Sequence, residues 1–347
     1  MSARSRIAGA VALAVIGTGL ALYSGPSSGA QIALRGAGAT LPAPLYERWI
    51  RMYREERPDV QITYEAVGSG EGQRRFLTDA VDFGASDAAL TDEQIAHVKG
   101  GVQLVPVTAG MVVLAYNLPR LGGPLRIPRD VCVDIFAGRI RSWNDPRLRA
   151  ANPGLDLPGR NIALVVRQDG SGTTFAFTNH LSAVSAAWRD RGPGVGTLVD
   201  WHGAMLARGN EGVAGRIKVS EGSIGYVEYH FAKRLGLPMA ELQNKAGRYV
   251  APTAHSGQAA LASSAPAMPD NLRLFLPDPD GDESYPIVTY TWLLVRRKNG
   301  DGERTRVLKE FLRWGLTTGQ KWSGELGYVP LPREVASVSI AALDRID

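Results

Sequence analysis

Four times in this chain a strand-like apolar run breaks on a loop that mixes glycine with serine or threonine, at a place where a helix is expected to begin. The loops are GAGATLP (residues 36–42), VGSGEG (67–72), FGASDA (83–88) and RQDGSGTT (167–174). Short strands that alternate with longer amphipathic segments through such loops read as βαβ units, which constrains the chain to an α/β sheet. Leu45, Trp49 and Met52 mark one face of a first helix that Arg57-Pro58-Asp59 ends, ahead of a strand over 61–66. A second helix is expected over 73–80, a strand closes on 83–87, and Thr91 is the expected N-cap of the next helix.

The first thirty residues stand apart. Arg4 and Arg6 precede an apolar stretch over 7–22, and Ser28-Gly29-Ala30 offers a small-x-small cleavage site, so residues 1–30 read as a signal peptide that is removed on export. The stretch is broken by glycines and shorter than the ~20 apolar residues of a membrane span. No cysteine stands close after it to become a lipidated new amino terminus, which closes the lipoprotein route.

Without residues 1–30 the chain keeps 37 basic and 34 acidic residues, a formal charge of +3. The charges are scattered, which gives no case for a nucleic-acid partner. Cys132 is the single cysteine, so no intramolecular disulfide or cysteine-based metal cluster can form, and it reads as a buried thiol. The remaining length favours two lobes. An extended apolar stretch over 102–117 can carry the chain into a second lobe and a similar one over 285–298 can bring it back, making a hinge of two crossing segments. Lobe 1 is then 31–117 plus 286–347, with the helices after Val307 packed on it, and lobe 2 is 118–285. The Ala/Ser/Pro patch over 259–269 reads as a surface loop.

Glycine lets backbone approach a ligand, hydroxyls donate hydrogen bonds, and free amides at a helix start favour negative charge. The same residues are also ordinary N-caps and turn formers, which is the competing reading of each loop taken singly. Two of the loops add charge: Asp87 follows Ser86, and Arg167 stands four residues before Ser171. Strand carboxyl ends of an open α/β sheet are where ligands gather. A guanidinium with hydroxyls and amides there suits a tetrahedral oxyanion.

Nucleotide and hydrolase motifs fail on spacing. Gly36-x-Gly38 is followed by Leu41 where a third glycine is needed, no phosphate-loop lysine motif occurs, and neither Ser69 nor Ser171 sits in G-x-S-x-G. His97, His180, His202, His230 and His255 show no paired metal-ligand spacing. The run IGYVEYHF (224–231) reads as strand and core, with Glu228 either the partner of a basic residue or exposed.

The segments GAGATLPAPLY, ITYEAVGSG, VDFGASDAALTDEQ, FAGRIRSWNDPRL, NPGLDLPGRNIALVVRQDGSGTTFAFT and EGSIGYVEY, in this order, resemble the family of periplasmic phosphate-binding proteins (PstS) that serve ABC phosphate importers. The likeness covers nearly all of the chain after residue 30 and weakens over 248–282. It implies an α/β, two-lobed periplasmic-binding-protein fold of type II, the Venus flytrap, with no cofactor, no metal and no turnover. It also implies a monomer in the periplasm that hands inorganic phosphate to a permease and ATPase complex at the inner membrane. Carried onto this sequence, the phosphate contacts fall on Thr40, the amide of Leu41, Ser69, Asp87, Arg167, Ser171, Gly172 and Thr173. The resemblance makes Asp87 a filter, because a carboxylate can accept the proton that phosphate carries and sulfate lacks. Arg167 would offset the combined negative charge.

Two positions depart from the family's pattern. Leu41 stands where phenylalanine is common, which leaves its amide unaffected. Glu71 adds a carboxylate beside the Ser69 loop that is expected to face solvent, with Arg74 and Arg75 as alternative partners. A receptor for another oxyanion such as sulfate, molybdate or a phosphonate, or a secreted phosphatase-like relative, remains as the alternative function.

Overall fold

The computed structural model describes residues 31–347; the signal-peptide expectation for 1–30 lies outside them. Among the described residues there are eleven strands: β1 (Ile32–Gly38), β2 (Val60–Ala66), β3 (Phe83–Ser86), β4 (Val102–Tyr116), β5 (Arg126–Ile127), β6 (Ala163–Arg167), β7 (Met205–Ala207), β8 (Ser223–Glu228), β9 (Glu241–Gln243), β10 (Tyr249–Val250) and β11 (Val288–Arg296). The helices of the first half are α1 (Ala43–Glu56), α2 (Ser69–Leu77), α3 (Asp92–Ala96), α4 (Arg129–Phe136), α5 (Pro146–Ala151), α6 (Gly172–Val184) and α7 (Ala186–Arg191). Those of the second are α8 (Gly209–Val219), α9 (Tyr229–Arg234), α10 (Ala254–Ser264), α11 (Gly302–Leu316), α12 (Lys321–Leu326) and α13 (Arg333–Ala342).

Eight strands join in the order β2-β1-β3-β11-β4-β8-β6-β7, and β10-β9-β5 form a small second sheet. The pairing of β4 explains the two-lobed architecture. Residues Val102–Met111 of β4 run antiparallel to β11, while Val112–Tyr116 run antiparallel to β8. One strand therefore belongs to both lobes: β1, β2, β3 and β11 flank its first part, and β8, β6 and β7 its end. All fifteen residues of β4 are buried, which is why it reads as a continuous apolar run and does not alternate. At the seam, the Val112 amide donates to the Ile287 carbonyl of the returning chain at 2.9 Å.

The β4–β11 register slips between Thr291 and Trp292, which face Thr108 and Pro106, so Val107 is the extra residue of a β-bulge. A proline cannot donate to the ladder and is tolerated at such an irregularity. Trp292 pairs with Ser86 of β3, which sets Thr291 beside the residue that follows β3, Asp87.

The C-terminal helices pack against α1. Tyr53 of α1 meets Phe311 and Trp314 of α11 edge to face, and the Trp49 indole donates to the Gly319 carbonyl at 2.8 Å. Lobe 2 has an aromatic core of Phe136, Phe177, Trp201 and Tyr226.

Two local expectations need correction. The Ala/Ser/Pro patch is no loop: α10 runs to Ser264 and a 3₁₀ turn follows over Ala265–Ala267. Alanine is the strongest helix former, Thr253 and Ser256 close a reciprocal capping box, and Ala260 and Leu261 are fully buried. The second helix starts at Ser69, four residues earlier than expected, because Gly68 takes a positive φ of 95° that turns the chain directly into it. As expected, residues 83–86 are strand and Thr91 caps the next helix, which begins at Asp92, with Gln94 in a reciprocal box.

Candidate functional site

The loops converge where the sheet passes from one lobe to the other. Lobe 1 brings Thr40 and Leu41 from the turn between β1 and α1, Ser69 from the first turn of α2, and Asp87 from the end of β3; lobe 2 brings Arg167 from the last position of β6, Ser171 as the N-cap of α6, and Gly172 and Thr173 as its first residues. Thr40 is the most open of these eight residues, at 8% of its full exposure, and every other one is buried as well. The two halves touch. A Cβ added to Gly172 would lie 2.5 Å from both Ser69 Oγ and Asp87 Cβ, so only glycine lets the start of α6 come this close to lobe 1. The Gly70 amide donates to the Gly170 carbonyl across the seam at 2.9 Å.

Ser171 answers the question that its loop raises. Its Oγ accepts from the Thr174 amide at 3.0 Å, so it is a helix cap, and its hydroxyl proton is still available to a ligand. Gly172 and Thr173 follow as the first two helical residues, whose amides have no acceptor inside the helix. In lobe 1, Ser69 Oγ accepts from the Asp87 amide at 3.2 Å, leaving its proton available in the same way. Leu41 is fully buried and its carbonyl accepts from the Tyr328 hydroxyl at 2.8 Å.

Arg167 is anchored by a residue the sequence reading passed over. Its Nε donates to Asp169 Oδ1 at 2.9 Å, Nη2 bonds the other oxygen, and Nη1 reaches Thr173 Oγ1 at 3.4 Å. Burial opposes ionisation of Asp169, yet the Arg167 hydrogen bonds and charge keep its pKa below the ordinary value. Arg167 is therefore paired with Asp169 while its charge still acts on Asp87. The signal was available: residues i and i+2 at a strand end share a face, and Arg167-x-Asp169 has that spacing.

Asp87 is held differently. Its Oδ1 accepts from Thr291 Oγ1 at 2.6 Å, and the threonine sits on β11 opposite the bulge of β4. Burial pushes its pKa up to about 7, against the opposing pull of the Thr291 hydrogen bond and the Arg167 charge. At neutral pH it is poised between acid and carboxylate.

Two more contributors carry little sequence signal. Asn210, at the start of α8, donates from Nδ2 to Thr40 Oγ1 at 2.9 Å and to Thr173 Oγ1 at 3.2 Å, tying the lobes together. Its partner Thr40 is 170 residues away, and no local pattern links them. Glu228 is neither exposed nor paired with a basic residue. It is fully buried, one oxygen accepts from the His230 amide at 2.9 Å, and burial together with the nearby Asp87 raises its pKa well above the usual range. Glu71 does not face solvent freely. It pairs with Arg74 at 2.7 Å and Arg75 at 2.8 Å, whose hydrogen bonds pull its pKa down to about 2. Cys132 is buried, as expected, with its thiol pushed up to about 12 by desolvation.

Among the described residues no group of three or more His, Cys, Asp and Glu side chains is placed to hold a metal, and no helix is long and apolar enough to cross a membrane. What converges is a closed set of hydroxyl and amide donors, one balanced guanidinium and one acid of near-neutral pKa. Such a set can hold a small oxyanion that itself carries a proton.

Comparison with known proteins agrees. Residues 25–318 match the PBP superfamily domain. The chain is 39% identical to the phosphate-binding protein PstS of Pasteurella multocida over 87% of each chain, and 38% identical to that of Haemophilus influenzae over 88% of this chain and 90% of the relative. Among solved structures, the phosphate binding protein from Stenotrophomonas maltophilia superposes with a TM-score of 0.70 at 19% identity, covering 89% of this chain and 93% of its own. A high-affinity periplasmic phosphate-binding protein solved with phosphate bound gives 0.72 at 22%, with the same coverage. At these identities the structural likeness establishes the two-lobed fold. By sequence, over nearly nine-tenths of its length, the chain belongs to the PstS family of phosphate-binding proteins.

Proposed function

We propose that this protein is a high-affinity receptor for inorganic phosphate that closes its two lobes on the ion and delivers it to an ABC-type import permease and ATPase complex. In this reading Thr40, the Leu41 amide, Ser69, Asp87, Arg167, Ser171, Gly172 and Thr173 are the phosphate contacts. The hinge is the pair of segments around 112–117 and 285–288, with lobe 1 at 31–117 plus 286–347 and lobe 2 at 118–285. The protein acts as a monomer in the periplasm.

The observation that carries the reading is the apposition of Asp87 and the first turn of α6 in a site whose buried guanidinium, Arg167, is already paired with Asp169. An anion held there relies on directed donors, as it must if phosphate is to be told from other anions by its proton. A carboxylate accepts the proton of hydrogen phosphate; a protonated Asp87 donates to an unprotonated oxygen. One proton serves Asp87 and ligand together. Release without chemistry is supported by the serines: Ser69 and Ser171 accept from backbone amides, and among the described residues neither hydroxyl is hydrogen-bonded to a histidine or carboxylate side chain.

Isothermal titration of the purified protein lacking residues 1–30 with phosphate, arsenate and sulfate tests this. Micromolar or tighter phosphate binding with much weaker sulfate binding is expected; absence of phosphate binding overturns the reading.

A further inference from the structure

Outside the buried clamp a groove of about 590 Å³ runs along the seam between the lobes, with Thr40 and Asn210 lining it. One wall is α1, which presents Arg48 and Arg51; the other is the start of α8, which presents Arg208. Among the described residues none of these three arginines makes an ion pair or a side-chain hydrogen bond. Arg57, Arg75, Arg129 and Arg147 elsewhere each hold a carboxylate. Of the groove's other ionisable groups, Arg234 is paired with Glu211, and Glu47 is the remaining acid. His230 adds no charge at neutral pH, because burial lowers its pKa.

We propose that this groove is an outer capture site for inorganic phosphate, in which Arg48, Arg51 and Arg208 collect the anion before it passes Thr40 into the clamp. The proposal rests on the phosphate reading above. Guanidinium groups are weakly hydrated and present a fork of donors that matches phosphate oxygens. Unpaired, they set up a positive potential that a recessed groove focuses. Because α1 and α8 belong to different lobes, parting the lobes leaves these side chains on the two rims of the cleft that the ligand must enter. Thr40 belongs to both places, since it lines the groove and its hydroxyl accepts from Asn210 inside the seam. The groove carries Glu47 and Glu211 among its arginines, which suits a small ion better than an acidic protein face.

A water-facing capture site speeds arrival without prolonging residence. Its signature is therefore kinetic and sensitive to salt, since exposed charges are screened beyond ~8 Å at 0.15 M ionic strength. The test is stopped-flow tryptophan fluorescence with inorganic phosphate, comparing the protein with its Arg48→Gln/Arg51→Gln/Arg208→Gln triple variant at low and high sodium chloride. The association rate constant should fall roughly five- to tenfold in the variant at low salt, the gap should close at high salt, and the dissociation rate should stay the same. A second triple variant, Lys99→Gln/Arg297→Gln/Arg333→Gln, removes the same charge at exposed positions outside the groove and should change association less than twofold.

An unchanged association rate in the groove variant overturns the proposal, as does an equal fall in both variants or a flat salt profile of the unaltered protein. Unchanged solution kinetics with loss of phosphate uptake in vesicles containing the permease would assign the arginines to docking and overturn it too. If the unaltered protein binds no phosphate by titration, the functional reading fails; binding with an unaffected rate removes the capture site alone.

Discussion

The two halves of the clamp solve the same problem in opposite ways. In lobe 2, Arg167 is fixed on several sides: Asp169 takes Nε and Nη2, Thr173 meets Nη1, and the Tyr226 hydroxyl accepts from its backbone amide at 3.2 Å. Tyr226 in turn stacks on Phe177 in the aromatic core. This half is rigid and electrically balanced before any ligand arrives. In lobe 1, Asp87 has one side-chain donor, Thr291, and a pKa near 7. This half holds the group whose charge can change. The difference teaches that affinity and selectivity are separable here: lobe 2 supplies pre-positioned donors and lobe 1 supplies a proton test.

The largest break in that comparison is Arg167→Ala. It removes the guanidinium and strands Asp169 in a partly buried site, and orphaning one member of a buried pair typically costs about 3–5 kcal/mol. Titration calorimetry should find phosphate affinity reduced by at least a hundredfold; a loss under tenfold would show that lobe 2 does not dominate affinity. Asp87→Asn comes next. It should lower the phosphate-over-sulfate preference by about one to two orders of magnitude, the scale of an unsatisfied buried donor or acceptor; unchanged preference would put the filter elsewhere.

The same variant has a stability signature in the ligand-free protein. The folded pKa of Asp87 is raised above its ordinary value of 3.8. Its contribution is therefore fully present below pH 4 and is lost as pH rises toward and through 7. Each pKa unit corresponds to about 1.4 kcal/mol. Asp87→Asn should raise the melting temperature at pH 8 and leave it nearly unchanged at pH 4, measured by differential scanning calorimetry.

Thr291→Val is smaller in size and sharper in what it reports. Loss of the hydrogen bond that favours the carboxylate should push the Asp87 pKa higher still. Above pH 7, where a protonated Asp87 is what lets sulfate bind, sulfate affinity should rise about threefold or more, read by titration across pH 6–9. The smallest effect is expected for Glu71→Gln. Held by Arg74 and Arg75 and side-chain exposed by about a third, it should alter phosphate affinity less than twofold; a tenfold gain would mean that its charge reaches the clamp.

Most of the architecture was legible because it is written locally. The strand-to-helix loops, the Thr91 cap and the β4 run need only short windows of sequence, and Arg167 and Asp87 stood out as charges placed in glycine-rich turns. The missing parts depend on distant pairings. Thr291 reaches Asp87 only because β11 inserts beside β3, and Asn210 reaches Thr40 only when the lobes meet. A single acid in an apolar run, such as Glu228, gives no sign of whether its neighbours are water or core. The α10 patch combines a composition common in irregular backbone with alanine, which favours helix, and the alanines prevail.

The place of β11 in the sheet sets a timetable. It lies between β3 and β4, with Val295 against Phe83 and Arg296 against Val102. The sheet of lobe 1 therefore cannot be completed until residues near the end of the chain are available, some 200 positions after β3. Lobe 2 is inserted into that gap and needs only the end of β4 to begin its own sheet. Contacts of such long sequence separation slow folding. The order of assembly follows: lobe 2 can form first, lobe 1 closes around β11 last, and the half of the clamp that holds Asp87 and Thr291 together comes into being in the final step. Pulsed hydrogen exchange during refolding should find β6 and β8 protected before β3.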